Sequence, residues 1–383
     1  MSKTTTKKKV NRTIPPDIKL RLWAVSGARC AFPGCNKELW HEKLTLSGGN
    51  FSEMAHIKAV NPGGARHDDE DSAELVKDIN NLVLLCRDHH HLVDSPEHRD
   101  EYPVAKILEF KRAHEERIRL QTSVSSNMKT RPVVLLATIG ERRPEIFSEA
   151  MWLAALDSRY PTDLTGVRVD MTILSEPTTE AEWQKLAEEI STNLNQRLIR
   201  GNEQDYAEHL SVFAFAPIPL LMHFGKTLAN TRPTDVFQLH RGGSGWKWKD
   251  SSDAFLYDTT LSDEEVSTDV ALVLSISGKP AHTEVTDTLG KSIPIYEISI
   301  ATPSPLFLDT REKLSGFKIA YRNALSSIRE KHGGNVNIHL FPAVPISVAV
   351  ACGQELLPKA DPAIHVYDLN KNQGGWKKTL KIN

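Results

Sequence analysis

Apolar positions along this chain follow two different rhythms, which meet near residue 125. In the first, apolar runs are short and set among loops. Pro15, Pro16 and Asp17 open a brief helix through Ala24 that stops near Gly27. A loop-rich stretch with Cys30, Cys35 and a Gly48-Gly49 turn leads to a strand over 51–57 and a polar, acidic loop over 61–78. A second apolar run follows at 82–85, then a cluster of histidines. Pro103 opens a helix that places Val104, Ile107 and Leu108 on one face and continues as a charged stretch to Leu120. Residues 121–131, QTSVSSNMKTR, have the composition of a linker.

Beyond that linker, strands alternate with helices. The apolar pattern predicts strands at 133–138, 167–174 and 211–215, and helices at 145–156, 180–198 and 218–228. This alternation implies a mostly parallel, Rossmann-like sheet. The pattern then recurs. FAFAPIPLLMHFGKTL from Phe213 aligns without a gap on FPAVPISVAVACGQEL from Phe341, so that Pro217/Pro345, Ile218/Ile346, Gly225/Gly353 and Leu228/Leu356 coincide. Each block is followed by a strand, at 236–239 and 364–367, and by a glycine-rich turn ending in Trp246 or Trp376. VVLLATIG from Val133 and ALVLSISG from Ala271 open the two copies. The expected organisation is an α+β domain over 1–120 with a basic tail at 1–14, a linker at 121–131, and an α/β domain over 132–383. The latter is read as two tandem repeats, 132–255 and 268–383.

Composition narrows the function classes. The 383 residues are too many for one ordinary domain, and 40% hydrophobic with 25% charged is a globular balance. The longest apolar stretches, at 212–224 and 340–352, are interrupted by prolines, and none reaches the roughly 18 to 20 residues of a membrane-spanning helix. The basic start MSKTTTKKKVNR lacks the apolar centre of a secretory signal, so a cytoplasmic location without membrane contact is expected. Residues 1–120 hold 20 Lys+Arg against 18 Asp+Glu, and the remainder 27 against 31, so neither part is strongly basic. Yet 8 of the 15 histidines and 3 of the 4 cysteines lie in those first 120 residues, which locates the candidate chemistry.

Cys30-x4-Cys35 and Cys86-x2-His89 have the spacing of two half-sites for a tetrahedral structural zinc, the alternative being reduced, buried thiols. Between and beyond them lie Met54-Ala55-His56-Ile57 and NNLVLLCRDHHHLVD, residues 80–94. On these residues the segment at about 20–115 resembles the HNH endonuclease family, with its ββα-metal fold, in the zinc-clip subtype. His89 stands where that subtype usually has a second cysteine. The resemblance implies His56 as general base, Asn81 as the residue positioning the base-bearing loop, and His90 as a metal-binding histidine. A near-neutral imidazole suits activation of water, and a hard divalent ion, Mg²⁺ or Mn²⁺/Ni²⁺, suits the leaving oxygen. Asp94, four residues after His90, shares the helix face and is the expected second ligand, or else a solvated helix residue. Ala55 occupies the place where many relatives carry an acid or histidine, so Glu53 or the acidic run at 68–71 is a further candidate ligand.

The substrate implied is double-stranded DNA, with Lys58, Arg66 and Arg87 as candidate phosphate contacts. No helix-turn-helix or finger array supplies base reading, so cleavage is expected to have little sequence specificity. A duplicated Rossmann-like unit fused to such a nuclease resembles the SAVED domain, a tandem CARF-like sensor of cyclic oligonucleotides. Together the halves resemble the effector nucleases of bacterial CBASS antiphage defence. That resemblance implies an activating cyclic dinucleotide of the cyclic GMP-AMP type, made by a partner nucleotidyltransferase. It also implies a homo-oligomer that grows on ligand binding. Ligands of open α/β sheets settle beyond the strand C-termini, which points to Gly140 and Arg142 in the first repeat and Ser277, Gly278 and Lys279 in the second. Lys226 is a further candidate for phosphate, or merely exposed; Trp246 or Trp376 is a candidate for base stacking, or core. Two other readings fit the residues: a restriction-type HNH nuclease whose second half reads modified DNA, and an inactive nucleotide-binding adaptor.

Overall fold

The computed structural model describes residues 13–42, 45–67, 75–140, 159–163, 165–172, 174, 177–199, 208–229, 232–240, 245–262, 265–370 and 374–382. The chain divides into two compact units, Met1–Ser125 and Ser126–Asn383. No helix among the described residues is long and apolar enough to cross a membrane.

In the first unit, α1 (Pro16–Val25) ends at Gly27, whose φ of +56° reverses the chain at no steric cost. β1 (Ser52–His56) pairs antiparallel with β2 (Leu82–Cys86), and α2 (Arg87–Asp94) leaves directly from the end of β2. α3 (Val104–Thr122) starts after Pro103 and buries Ile107 and Phe110. β2 is buried at all five positions, so a single apolar strand organises a core with Leu22, Leu39, Ala55, Ile57 and Val93. A domain this small has limited apolar area to bury, which makes any additional cross-link valuable.

The second unit contains two sheets. β3 (Lys129–Leu136), β4 (Tyr160–Pro161), β5 (Val167–Asp170), β6 (Leu210–Phe215) and β7 (Thr234–Val236) form a parallel sheet in the order β4-β3-β6-β7, with β5 also on β3. α4 (Glu180–Leu194), capped by a reciprocal Thr179/Glu182 box, and α5 (Ile218–Leu228) pack alongside it. The second sheet comprises β8 (Asp258–Thr260), β9 (Asp269–Ser275), β10 (Ile295–Ser299), β11 (Asn337–Ala343), β12 (Ile364–Asn370) and β13 (Gly375–Ile382), in the order β13-β12-β11-β9-β10-β8. Its four central strands are parallel and both edges are antiparallel. Among the described residues its helices are α6 (His282–Leu289), α7 (Arg311–His332) and α8 (Ile346–Gln354).

α5 and α8 cross with their backbones in contact. A Cβ on Gly225 would overlap the carbonyl oxygen of Val350, and one on Gly353 would overlap that of Met222. The aromatic packing beneath each helix also corresponds. Phe213 stacks on Phe237 (4.7 Å) and meets the edge of Trp246 (5.3 Å), while Phe341 stacks on Tyr367 (4.5 Å) and meets the edge of Trp376 (5.4 Å).

The structure departs from the expected elements in four places. β3 begins at Lys129, inside the segment read as a linker, because its polar start is buried and satisfied: the Thr130 hydroxyl lies 2.9 Å from His209 Nδ1 and from Ser211 Oγ. The strand expected at 167–174 stops at Asp170, whose carboxylate accepts from the Thr172 N–H and hydroxyl and turns the chain. The helix expected to reach 198 ends as α-helix at Leu194 and closes with a π-helical turn, Asn195–Ile199. In place of a strand at 236–239, pairing covers Thr234–Val236. The helix expected at 145–156 lies outside the described residues.

Candidate functional site

His56 closes β1 and Asn81 immediately precedes β2, so antiparallel pairing brings the two together: His56 faces Leu82 in the register. Asn81 is 5% exposed and acts as a clamp. Its Oδ1 accepts from the Lys58 N–H (2.8 Å) while its Nδ2 donates to the Lys58 carbonyl (3.0 Å) and to that of Leu75 (3.4 Å). The Asn81 carbonyl also accepts from the Ile57 N–H (2.8 Å). The two residues after His56 are therefore fixed by one side chain and its own backbone. The His56 ring is half-buried, with Nε2 enclosed.

His90 and Asp94 lie one turn apart on α2, with Nε2 and Oδ2 separated by 3.3 Å. Donors occupying adjacent positions on an octahedral ion, with bonds of about 2.0–2.1 Å, stand about 3 Å apart, so this pair fits a shared hard cation. The His90 imidazole is pushed above its usual range, first by its bond to Asp94. Burial raises the Asp94 carboxyl, but bonds from His90 and Arg66 outweigh it and hold the group below its ordinary value. Glu53 is exposed on β1 and adds a favourable charge to His90, whereas residues 68–71 lie outside the described residues. Among the described residues, no cluster of three or more metal-type side chains forms here.

Such a cluster does form behind it. One ligand atom from each of Cys30, Cys35, Cys86 and His89 lies within 4.8 Å of the others. His89 Nδ1 is 3.1 Å from Cys86 Sγ and 3.7 Å from Cys30 Sγ. Tetrahedral zinc with Zn–S bonds of about 2.3 Å sets its ligands roughly 3.8 Å apart, so the donor set and spacing fit the ion. The turn between the first two cysteines uses Gly34 at φ +79°, and the Ala31 N–H donates to the Leu84 carbonyl (2.9 Å), fastening the knuckle to β2. Phe32 stacks on His89, with centroids 4.0 Å apart and planes 7° apart. Burial pushes the Cys30 thiol up to about 12, a cost that a divalent cation holding it as thiolate would reverse.

Of the residues expected on DNA phosphate, Arg87 is exposed at the start of α2 and Lys58 lies in the loop held by Asn81. Arg66 corrects the expectation. Its side chain is 7% exposed, and its guanidinium is engaged by Asp94 and by backbone carbonyls, so it is unavailable to a phosphate.

In the second unit a cavity of about 760 Å³ lies between the two halves, at the C-terminal ends of their strands. Gly140 and Ser277, two of the residues singled out in the sequence, line it. Both α5 and α8 begin at its wall, through Pro217-Ile218 and Pro345-Ile346. Gln238 spans the halves, its Oε1 accepting from the Ser347 N–H (3.1 Å) and hydroxyl (2.8 Å). Gln238, His240, Asp368 and Asn370 line the cavity without having been singled out from sequence. Spacing was their signal in sequence, since Gln238 and Asp368, and likewise His240 and Asn370, are as far apart as Trp246 and Trp376. Burial keeps the His240 imidazole below its usual range, hence neutral. None of the described lining residues is Lys or Arg.

Several expected pocket residues lie elsewhere. Trp246 and Trp376 are buried against Phe213 and Phe341, so neither presents a free ring face for stacking. Lys226, Gly278 and Lys279 are outside the lining, and Arg142 falls outside the described residues.

Comparison with known proteins returns two family matches. Residues 30–96 match the HNH endonuclease family, and residues 190–382 match the SMODS-associated and fused to various effectors sensor domain, SAVED. No curated protein matches the chain. Among solved structures, an Acinetobacter baumannii Cap4 SAVED/CARF-domain containing receptor with the cyclic trinucleotide 3'3'3'-cAAA is 13% identical at a TM-score of 0.45, over 73% of this chain and 61% of that one. The same receptor with 2'3'3'-cAAA is 14% identical (TM-score 0.45; 82% and 67% covered). A Moraxella osloensis Cap4 SAVED/CARF-domain containing receptor is also 14% identical (TM-score 0.40; 82% and 66% covered).

Proposed function

The chain belongs to the SAVED family of sensor domains fused to effectors, its effector being an HNH endonuclease domain, and we propose that it is a cyclic-nucleotide-activated DNA endonuclease of the CBASS type. The observation that carries this reading is the assembly, in one chain, of the His56–Asn81–His90 arrangement on a ββα frame with a sensor unit whose two halves wall a common cavity. The two halves are inferred to be copies of one CARF-like unit, which the reciprocal Gly225/Gly353 crossing and the matched aromatic trios support.

In the nuclease unit, His56 takes the proton of the attacking water. Asn81 holds the following loop so that this ring keeps its place during the transfer. His90 and Asp94 would hold a divalent ion, Mg²⁺ or Mn²⁺ being suited to such donors, which supplies charge stabilisation at the scissile phosphate and leaving oxygen. Cys30, Cys35, Cys86 and His89 would hold zinc and fix α2 to the knuckle. Exposed Arg87 meets phosphate without reading bases, which favours weak sequence specificity on double-stranded DNA.

In the sensor unit, α5 and α8 begin at the cavity wall, and their positive helix ends favour the phosphates of a cyclic oligonucleotide there. Neutral His240 with Asp368 and Asn370 suits hydrogen bonding to bases. A cyclic dinucleotide of the GMP-AMP type, made by a partner nucleotidyltransferase, is the proposed activator, with assembly into larger homo-oligomers as the link to cleavage.

Plasmid DNA incubated with the protein and Mg²⁺, with and without a panel of cyclic di- and trinucleotides, tests this. Cleavage is expected only with one of them, and His56→Ala should abolish cutting while keeping zinc and ligand binding. Cleavage indifferent to every cyclic nucleotide would refute activation.

A further inference from the structure

Arg66 sits in an unusual position for a side chain of its size. Its φ of +55° is in the left-handed region, where a non-glycine residue is disfavoured by about 1 kcal/mol or more. Such a conformation persists only where the surroundings over-determine it, and here they do. Nε donates to the Ile57 carbonyl (2.7 Å), NH1 to those of Val93 (2.7 Å) and Tyr102 (3.5 Å), and NH2 pairs with Asp94 Oδ1. One guanidinium thus ties the residue after His56 to the last turn of α2, and neutralises the oxygen of Asp94 that faces away from His90. The neighbouring turn is tight enough that a Cβ on Gly64 would overlap the Ala59 side chain, so the loop that carries Arg66 has little room to shift.

We propose that Arg66 is a positioning residue of the nuclease site, which fixes Asp94 Oδ1 so that Oδ2 and His90 Nε2 stay aimed at one divalent cation. The inference rests on the metal-dependent nuclease reading above. It assigns Arg66 no contact with DNA. The fork geometry is what the role requires: Ile57, Val93 and Asp94 are met by three different nitrogens of one planar group, whereas lysine carries the same charge with all its donors on one nitrogen and cannot reproduce that spread. Partners that orient metal ligands typically change affinity or activity by 10–100-fold when altered.

The experiment is a Mn²⁺-binding isotherm on the zinc-loaded full chain without DNA, with free Mn²⁺ read by electron paramagnetic resonance, alongside Mn²⁺-dependent plasmid cleavage in the presence of the activating cyclic nucleotide. Arg66→Lys keeps the charge, so a purely electrostatic or solvating role predicts unchanged binding. The proposal predicts Mn²⁺ affinity about tenfold or more weaker, with zinc content retained. Asp94→Asn should weaken Mn²⁺ binding by a similar factor, and Arg66→Lys in that background should add little, since both act through one carboxylate. Wild-type Mn²⁺ affinity in Arg66→Lys overturns the proposal. Should that variant not fold, wild-type affinity in Asp94→Asn overturns it equally. A wild-type chain that neither binds Mn²⁺ nor cuts DNA would instead refute the nuclease reading itself.

Discussion

Replacing Asn81 by alanine should separate what the loop after His56 needs from what the fold needs. The substitution deletes three hydrogen bonds to a nearly buried amide, two of them to the single residue Lys58. At about 1 kcal/mol each, with a further penalty where Lys58 and Leu75 groups lose their partner away from water, the loss comes to about 2–4 kcal/mol. The unit retains its apolar core and its zinc ligands, since the observed bonds of the Asn81 side chain go to Lys58 and Leu75 alone and the backbone bond from Ile57 to the residue 81 carbonyl survives the substitution. Catalysis should suffer more than stability, because displacing a reacting group by about 1 Å costs roughly 100-fold in rate. The assay is paired: thermal melting and zinc content on one side, activated plasmid cleavage on the other. Asn81→Asp sharpens it. The carboxylate can still accept from the Lys58 N–H but opposes the Lys58 carbonyl, so its cleavage should fall nearly as far. Either variant cutting at the wild-type rate, folded and zinc-loaded, would refute the assignment of Asn81 to positioning.

Other expectations follow from the same geometry. Cys35→Ser should lower bound zinc from one per chain to none at micromolar protein and cost the first unit several kcal/mol, read by metal analysis and melting; a zinc-free protein that melts normally would dismiss the clip. Gly225→Ala should destabilise the second unit by about 2 kcal/mol despite alanine's better helix propensity, since its Cβ meets the Val350 carbonyl, and melting of that unit checks it. Burial holds His223 near 4, with its Nε2 2.7 Å from Ser191 Oγ. The unfolded chain takes up that proton below about 6.5, so stability is lost as pH falls from 6.5 toward 4, by about 2 kcal/mol at pH 4.5. His223→Gln should flatten that slope in denaturation curves recorded across the range.

Much of the nuclease unit was legible in sequence because its signals are local. Spacing put Cys30 with Cys35 and Cys86 with His89, and an apolar strand on each side of a loop brought His56 beside Asn81. Arg66 was misread for a physical reason: in sequence it is a cation in a polar loop, and only the fold wraps the loop back so that its guanidinium reaches carbonyls 9 and 27 residues away. The linker error at Lys129 has the same origin, since Thr130 and Arg131 look solvent-seeking until His209, just before the distant strand β6, supplies the partner. In the second unit the aligned glycines were visible as a repeat, but their purpose, contact between two helix backbones, is a tertiary property. The tryptophans show the reverse. Their position after a glycine-rich turn suggested a ligand, yet each serves as the edge partner of the phenylalanine opening its own block.

The cavity walls come from one covalent chain, with Gly140, Phe215 and Gln238 among the lining on one side and Ser277, Val344 and Asp368 on the other, joined at the Gly225/Gly353 crossing and through Gln238 and Ser347. A pocket shared between two separate subunits falls apart on dilution, and its occupancy depends on how much protein is present. Here the second wall is always supplied at the effective concentration of an intramolecular neighbour. Protein abundance therefore drops out of pocket formation, even when the protein is scarce.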